Sequence, residues 1–161
     1  MTAWRFRSRA QAAMLNPALL AAITAAAASE YKRATGEPMP WPLAYLIAPL
    51  VLHRSTRESL PRTTRTHLGN WVSQNPVIHA GLSARAQSLA EPVREGLRFG
   101  LRHGALEVDD RGRLTGDLVA PAKKAAPGEA GQIIAKAGLV GKWLAKIDHP
   151  ATVFAVMGVA P

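Results

Sequence analysis

Five histidines, His53, His67, His79, His103 and His149, are the side chains best suited to ligate a metal or move a proton in this chain. No pair of them has the spacing of a helical metal site, and the HExxH pattern is absent. A lone histidine is more often a cap or surface residue, and His103, in the last turn of its helix, suits the helix dipole there. Asp148-His149 could form part of a catalytic triad, but no G-x-S-x-G turn accompanies it, and Gly81-Leu82-Ser83-Ala84-Arg85 is not one. The segment AGLVGKW, Ala137 to Trp143, comes closest to a phosphate-binding loop. Lys136 stands where that loop needs its first glycine, and Trp143 where it needs a metal-holding Ser or Thr. Glu107, Asp109 and Asp110 cluster where a turn is expected, and carboxylates in turns are usually solvated. With no cysteine there is no thiol nucleophile, thiolate zinc site or disulfide framework. These residues predict a chain that is not an enzyme and carries no cofactor or metal.

What remains is charge. The 161 residues hold 20 Lys and Arg against 11 Asp and Glu, a net +9 that favours an acidic partner. Most of the basic residues are arginine, whose planar fork fits phosphate and carboxylate. Two groups stand out. In VREGLRFGLRHG (Val93–Gly104), read at about 100° per residue, Arg94, Arg98 and Arg102 make one stripe of a helix. Val93, Leu97 and Leu101 make a neighbouring apolar stripe, expected to face the core. Gly96, Gly100 and Gly104 lie beyond it, the first two permitting close helix packing. The second group, Arg54, Arg57, Arg62 and Arg65, lies in the polar run RSTRESLPRTTR. Both groups are candidates to bind a nucleic acid or an acidic protein surface. The striped helix lacks an Asn or Gln to read adenine edges and has only arginine for guanine, so phosphate positioning is expected rather than base readout.

The elements carrying these residues are mostly helices. Residues 1–15 form a basic arm with Trp4 and Phe6. Asn16-Pro17 is a helix start and Gly36 a stop, giving a first helix over 16–35. Glu37-Pro38-Met39-Pro40 is a linker. Trp41–His53 is a buried helix bent by Pro49, too short to span a membrane. Part of 54–65 is loop, broken by Pro61. Residues 66–74 form a short helix, and Asn75-Pro76 opens another that runs to Ala90. Glu91-Pro92 is expected to restart the chain, with the striped helix following and Gly104 closing it. Leu106–Val108 and Arg113–Thr115, joined by Asp110-Arg111-Gly112, form a hairpin. Residues 117–128 form a flexible connector. A helix over 129–147 follows, and the apolar tail ATVFAVMGVAP is expected to pack on the core or on a partner. The fold class is mainly α with a small β-hairpin: a winged-helix-like core over 16–116, with additional helices before and after it.

The first 29 residues contain no acid and also have the outline of a secretory signal, with Arg5, Arg7 and Arg9 ahead of an Ala/Leu run ending AAAAS. Cleavage before Ser29 or Glu30 would make this a secreted or membrane-surface protein. The favoured expectation is a core helix in a cytoplasmic protein.

The order of blocks resembles a known family. NPALLAAI, EYKRATGEPMPWPLAYLIAPLVLHRSTRESLP, HLGNWVSQNP, REGLRFGLRHGALEVDDRGRL and KAGLVGKWLAKIDHPATVFAVMGVAP are similar to the middle component of three-component ABC conflict systems, which are related to the Lamassu antiphage systems. The resemblance covers Asn16 to Pro161. It implies a small non-enzymatic adaptor, encoded between an SMC-like ABC ATPase and an effector protein and coupling one to the other in a hetero-oligomer without a membrane. A winged-helix subunit bridging ATPase heads would parallel accessory subunits of chromosome-organising complexes, by analogy of fold. Double-stranded DNA is a secondary partner on this reading. The alternative is a free-standing winged-helix DNA-binding regulator.

Overall fold

The computed structural model describes residues 8–118 and 128–160. Residues 1–7 of the basic arm and most of the 117–128 connector lie outside the described residues. Ser8 and Gln11 form a capping box that starts α1 (Arg9–Met14). The chain then enters α2 (Pro17–Thr35), with Asn16 Oδ1 accepting from the Ala18 amide at 2.9 Å and Pro17 in the first turn. Gly36, at φ 80°, ends α2 in the left-handed conformation the sequence predicted.

α2 is the centre of the molecule. Ile23, Ala25, Ala27 and Ala28 are fully buried, because α3 (Ala44–Val51), α6 (Pro76–Arg102), α7 (Gly128–Leu144) and the sheet all pack on it. Its alanine run explains how so many neighbours fit. Short side chains let other backbones approach closely, and those backbones carry glycine at the contact. A Cβ on Gly141 of α7 would overlap the Ala27 backbone, and one on Gly116 would overlap Ala25. By length and composition α1 and α2 together could cross a membrane, yet here the apolar run of α2 is enclosed by its neighbours.

After β1 (Met39–Pro40) and a single 3-10 turn (Trp41–Leu43), α3 (Ala44–Val51) contributes Leu46, Ile47, Leu50 and Val51, all fully buried, with Pro49 inside the helix. Each such side chain stabilises the fold by about 1.5–3 kcal/mol relative to exposure. α4 (Arg54–Ser59) and α5 (Leu68–Gln74) flank the Pro61 loop. α6 (Pro76–Arg102) is one helix of 27 residues, so the expected restart at Glu91-Pro92 does not occur. Pro92 removes only the bond to the Ser88 carbonyl, and Ser88 is exposed to water, while Pro92 itself is buried in the core.

β2 (Leu106–Val108) and β3 (Arg113–Gly116) form the expected hairpin. Gly112, at φ 70°, completes its turn, and Asp109 Oδ1 accepts from the amides of Arg111 and Arg113. The linker expected over 37–40 is partly a strand. β1 pairs antiparallel with β3 in the register Met39↔Leu114 and Pro40↔Arg113, making a three-stranded sheet of order β1-β3-β2. Pro can serve there because β1 is an edge.

α7 (Gly128–Leu144) ends three residues earlier than expected, and the tail forms α8 (Pro150–Met157). Val153, Phe154 and Met157 bury α8 against α5 and α6, and His79 Nε2 donates to the Val156 carbonyl at 3.1 Å. The apolar tail therefore packs on this chain's own core. Trp71 and Trp143 meet edge to face at 5.6 Å between ring centroids and lock α5 to α7. The fold is mainly helical with a small antiparallel sheet, as the sequence predicts.

Candidate functional site

The arginine run of residues 54–65 is set out by the short helix α4. His53 begins it: the Thr56 hydroxyl lies 2.8 Å from His53 Nδ1, and the Thr56 amide donates to the same nitrogen at 3.4 Å. Burial and the nearby Arg85 guanidinium together push the His53 pKa below its ordinary value. Arg85 reaches from α6 under α4, donating to the carbonyl of Ile78 and to the Thr56 hydroxyl.

One helical turn separates very different arginines. Arg54 is 80% exposed and pairs with Glu58 at 2.8 Å. Arg57 is 7% exposed. Its guanidinium turns inward to cap the end of α3, donating to the carbonyls of Val51 at 2.7 Å and Leu52 at 3.4 Å. A cation is favourable at that end of a helix dipole. Its other nitrogen donates to Glu129 of α7 at 2.6 Å. Arg62 and Arg65 lie in the loop between α4 and α5, exposed, with no acidic partner among the described residues.

Between α4 and the start of α7 lies a groove of about 780 Å³. Arg54, Arg57 and Arg62 line one wall, and Gln132, Lys136 and Glu129 project from the other. Ala135 and Leu139 give it an apolar strip. Four cationic and two anionic side chains leave it net positive. The α7 contributors were missed from sequence. Their signal is modest: Glu129, Gln132 and Lys136 repeat at helical spacing, which marks the polar face of α7 and nothing about what it faces.

The second arginine run stands apart and lines no part of this groove. Glu91 accepts from Arg94 at 2.9 Å and lies 3.5 Å from Arg98. Arg102, in the last turn of α6, is exposed and has no acidic partner among the described residues. The apolar stripe beside them is only partly internal. Val93 is buried, Leu97 is half-buried, and Leu101 is 41% exposed, against the expectation that all three face the core. The glycine edge is inside instead. A Cβ on Gly96 would stand 2.5 Å from Leu20 Cβ, so α6 lies too close to α2 for a leucine edge to face it.

Among the described residues no group of His, Asp and Glu is arranged to hold a metal. His149 and Asp148 line a separate cavity of about 580 Å³ with Tyr31, Trp41, Arg111 and Arg113. There burial raises the Tyr31 pKa, with Arg113 opposing and Asp148 reinforcing the shift.

Over residues 4–161 the chain matches the family described as ABC-three component (ABC-3C) system Middle Component 3. It belongs to that family. No curated protein and no solved structure matches it. A middle component is by definition one part of a multi-component ABC system, so partner proteins are implied.

Proposed function

We propose that this middle component is an adaptor subunit, bridging an SMC-like ABC ATPase to an effector in an antiphage or conflict complex of the cytoplasm, without chemistry of its own. The observation that supports this most is the extent of the family match, which begins at residue 4 and runs to the last residue. Nearly the whole chain is thereby assigned to the middle-component role. The surface has features an adaptor needs: a basic groove and a separate basic helix face, on different parts of the molecule.

Affinity purification of the tagged protein, expressed from its own gene neighbourhood and read by mass spectrometry, tests the proposal. Stoichiometric recovery of a large coiled-coil ATPase is the expected result. Recovery of the protein alone, or with nucleic acid only, overturns it. The second reading, a winged-helix regulator or a DNA-contacting subunit, draws on Arg98 and Arg102, which are exposed on one helix face. Phosphate contacts there would give binding to duplex DNA that falls steeply with salt.

A further inference from the structure

We infer that the groove between α4 and α7 is the docking site for an acidic segment of a partner protein, its carboxylates reading Arg54, Arg62 and Lys136 and its apolar side chains lying on Ala135 and Leu139. The inference deepens the adaptor reading by naming the chemistry of one contact.

Charge complementarity selects the occupant. The groove is net positive in a chain of net charge +9, and Arg62 on its wall has no acid of its own among the described residues. Three features favour a protein segment over a nucleic acid backbone. First, the site is a recess between two helices, so a duplex lying on the surface would meet only its rim, whereas a side-chain carboxylate can enter it. Second, cations alternate with carboxylates: Arg54 with Glu58, and Arg57 with Glu129. Acids within the site repel a phosphate track, whereas mixed charges around an apolar strip are ordinary at protein interfaces. Third, Arg57 already holds a carboxylate, that of Glu129, which is 58% exposed at the mouth of the groove. The protein's own ion pair demonstrates the geometry in which a carboxylate is accepted.

The probe is a short fluorescein-labelled peptide rich in Glu and Leu, titrated with the full chain and read by anisotropy. A labelled DNA duplex is run alongside. Wild type should bind the peptide, and the paired reversal Arg62→Glu with Lys136→Glu should weaken it at least tenfold, since it sets two like charges against the peptide's carboxylates. Lys32→Glu with Lys146→Glu makes the same change of net charge outside the groove and should alter binding less than about twofold. Circular dichroism monitors folding, and if the reversal does not fold, Arg62→Gln with Lys136→Gln replaces it. In the titration two results overturn the inference: no peptide binding, whether or not DNA binds, or equal weakening by both pairs. Co-purification keeps the two proposals separable. If the groove pair recovers every partner that wild type recovers, in equal amount, the groove assignment fails and the adaptor stands. If wild type recovers no partner, the adaptor reading fails, while the peptide titration still judges the groove.

Discussion

The two arginine runs look alike on paper and differ in the folded chain. In α6 the stripe Arg94, Arg98, Arg102 keeps its regular spacing on an exposed face, with Glu91 bracing its first two members. In residues 54–65 the spacing is as close, yet Arg57 is buried, Arg54 is paired, and Arg62 and Arg65 are left free to reach outward. The difference comes from what lies underneath. α6 turns a glycine edge to α2 and so sets its arginines away from the core. α4 is a short helix that follows directly on α3, and the orphan carbonyls at the end of α3 draw in one arginine. Helical periodicity says which residues share a face; it does not say which face is inside.

The sharpest way to break the α6 side of this comparison is Gly96→Ala. The new methyl gains about 1 kcal/mol of helix propensity but lies 2.5 Å from Leu20 Cβ on a helix that is packed on all sides. We expect a net loss of about 2–3 kcal/mol in urea unfolding, from overpacking. A neutral or stabilising result would mean that α6 can move off α2, and that the arginine stripe is not fixed in direction. On the α4 side, Arg57→Met keeps the length and removes the charge. The carbonyls of Val51 and Leu52 lose their donor, while Glu129 can be rehydrated, so the expected cost is about 1–2 kcal/mol. Arg54→Met, beside it but exposed, should leave the unfolding transition nearly where it is. Equal effects for the two would erase the distinction between a structural and an available arginine.

Local signals carried much of this fold. Asn16-Pro17 and Gly36 mark both ends of α2, and Asp109 to Gly112 mark the hairpin turn, because caps and turns are decided by a few adjacent residues. The errors came where tertiary packing overrules local preference. Pro92 reads as a break, yet the helix continues through it because the carbonyl it orphans belongs to an exposed residue. Met39-Pro40 is too short to read as a strand and becomes one only because β3 runs alongside. The candidate groove was half legible: Arg54, Arg57 and Arg62 stood out, but Glu129 and Lys136 join them from more than sixty residues away. No periodicity encodes that approach. It depends on Gly138 and Gly141 bringing α7 onto α2.

Reversing the α6 stripe, with Arg94→Glu, Arg98→Glu and Arg102→Glu together, is a milder test. It removes two exposed ion pairs with Glu91, adds like charges on one face, and sets an acid in the last turn of the helix. Each contribution is small at an exposed site, so the summed loss of stability should be slight and should shrink in high salt. If the domain failed to fold, the stripe would be structural after all. If it folded and any duplex DNA binding of the wild type disappeared, the stripe would be the nucleic-acid face.

The smallest expected effect concerns His53, where the α4 arginine run begins. Its Nδ1 accepts from the Thr56 amide, which requires that nitrogen to be unprotonated, and Arg85 disfavours a second positive charge close by. Burial, with Arg85 adding to it, holds the folded-state pKa below the ordinary 6.5 of an unfolded histidine. The unfolded chain therefore takes up a proton first as the pH falls. His53 contributes its full stability above about pH 6.5 and loses it as the pH drops through the lowered folded value. His53→Asn keeps a side-chain acceptor at the start of α4 but does not titrate. Melting temperature measured between pH 7.5 and 5 should fall more for wild type than for His53→Asn. Parallel curves would mean that the cap carries no pH dependence. The acid sensitivity of the chain would then have to come from its other titratable groups, and the start of α4 would hold the arginine run in place regardless of protonation.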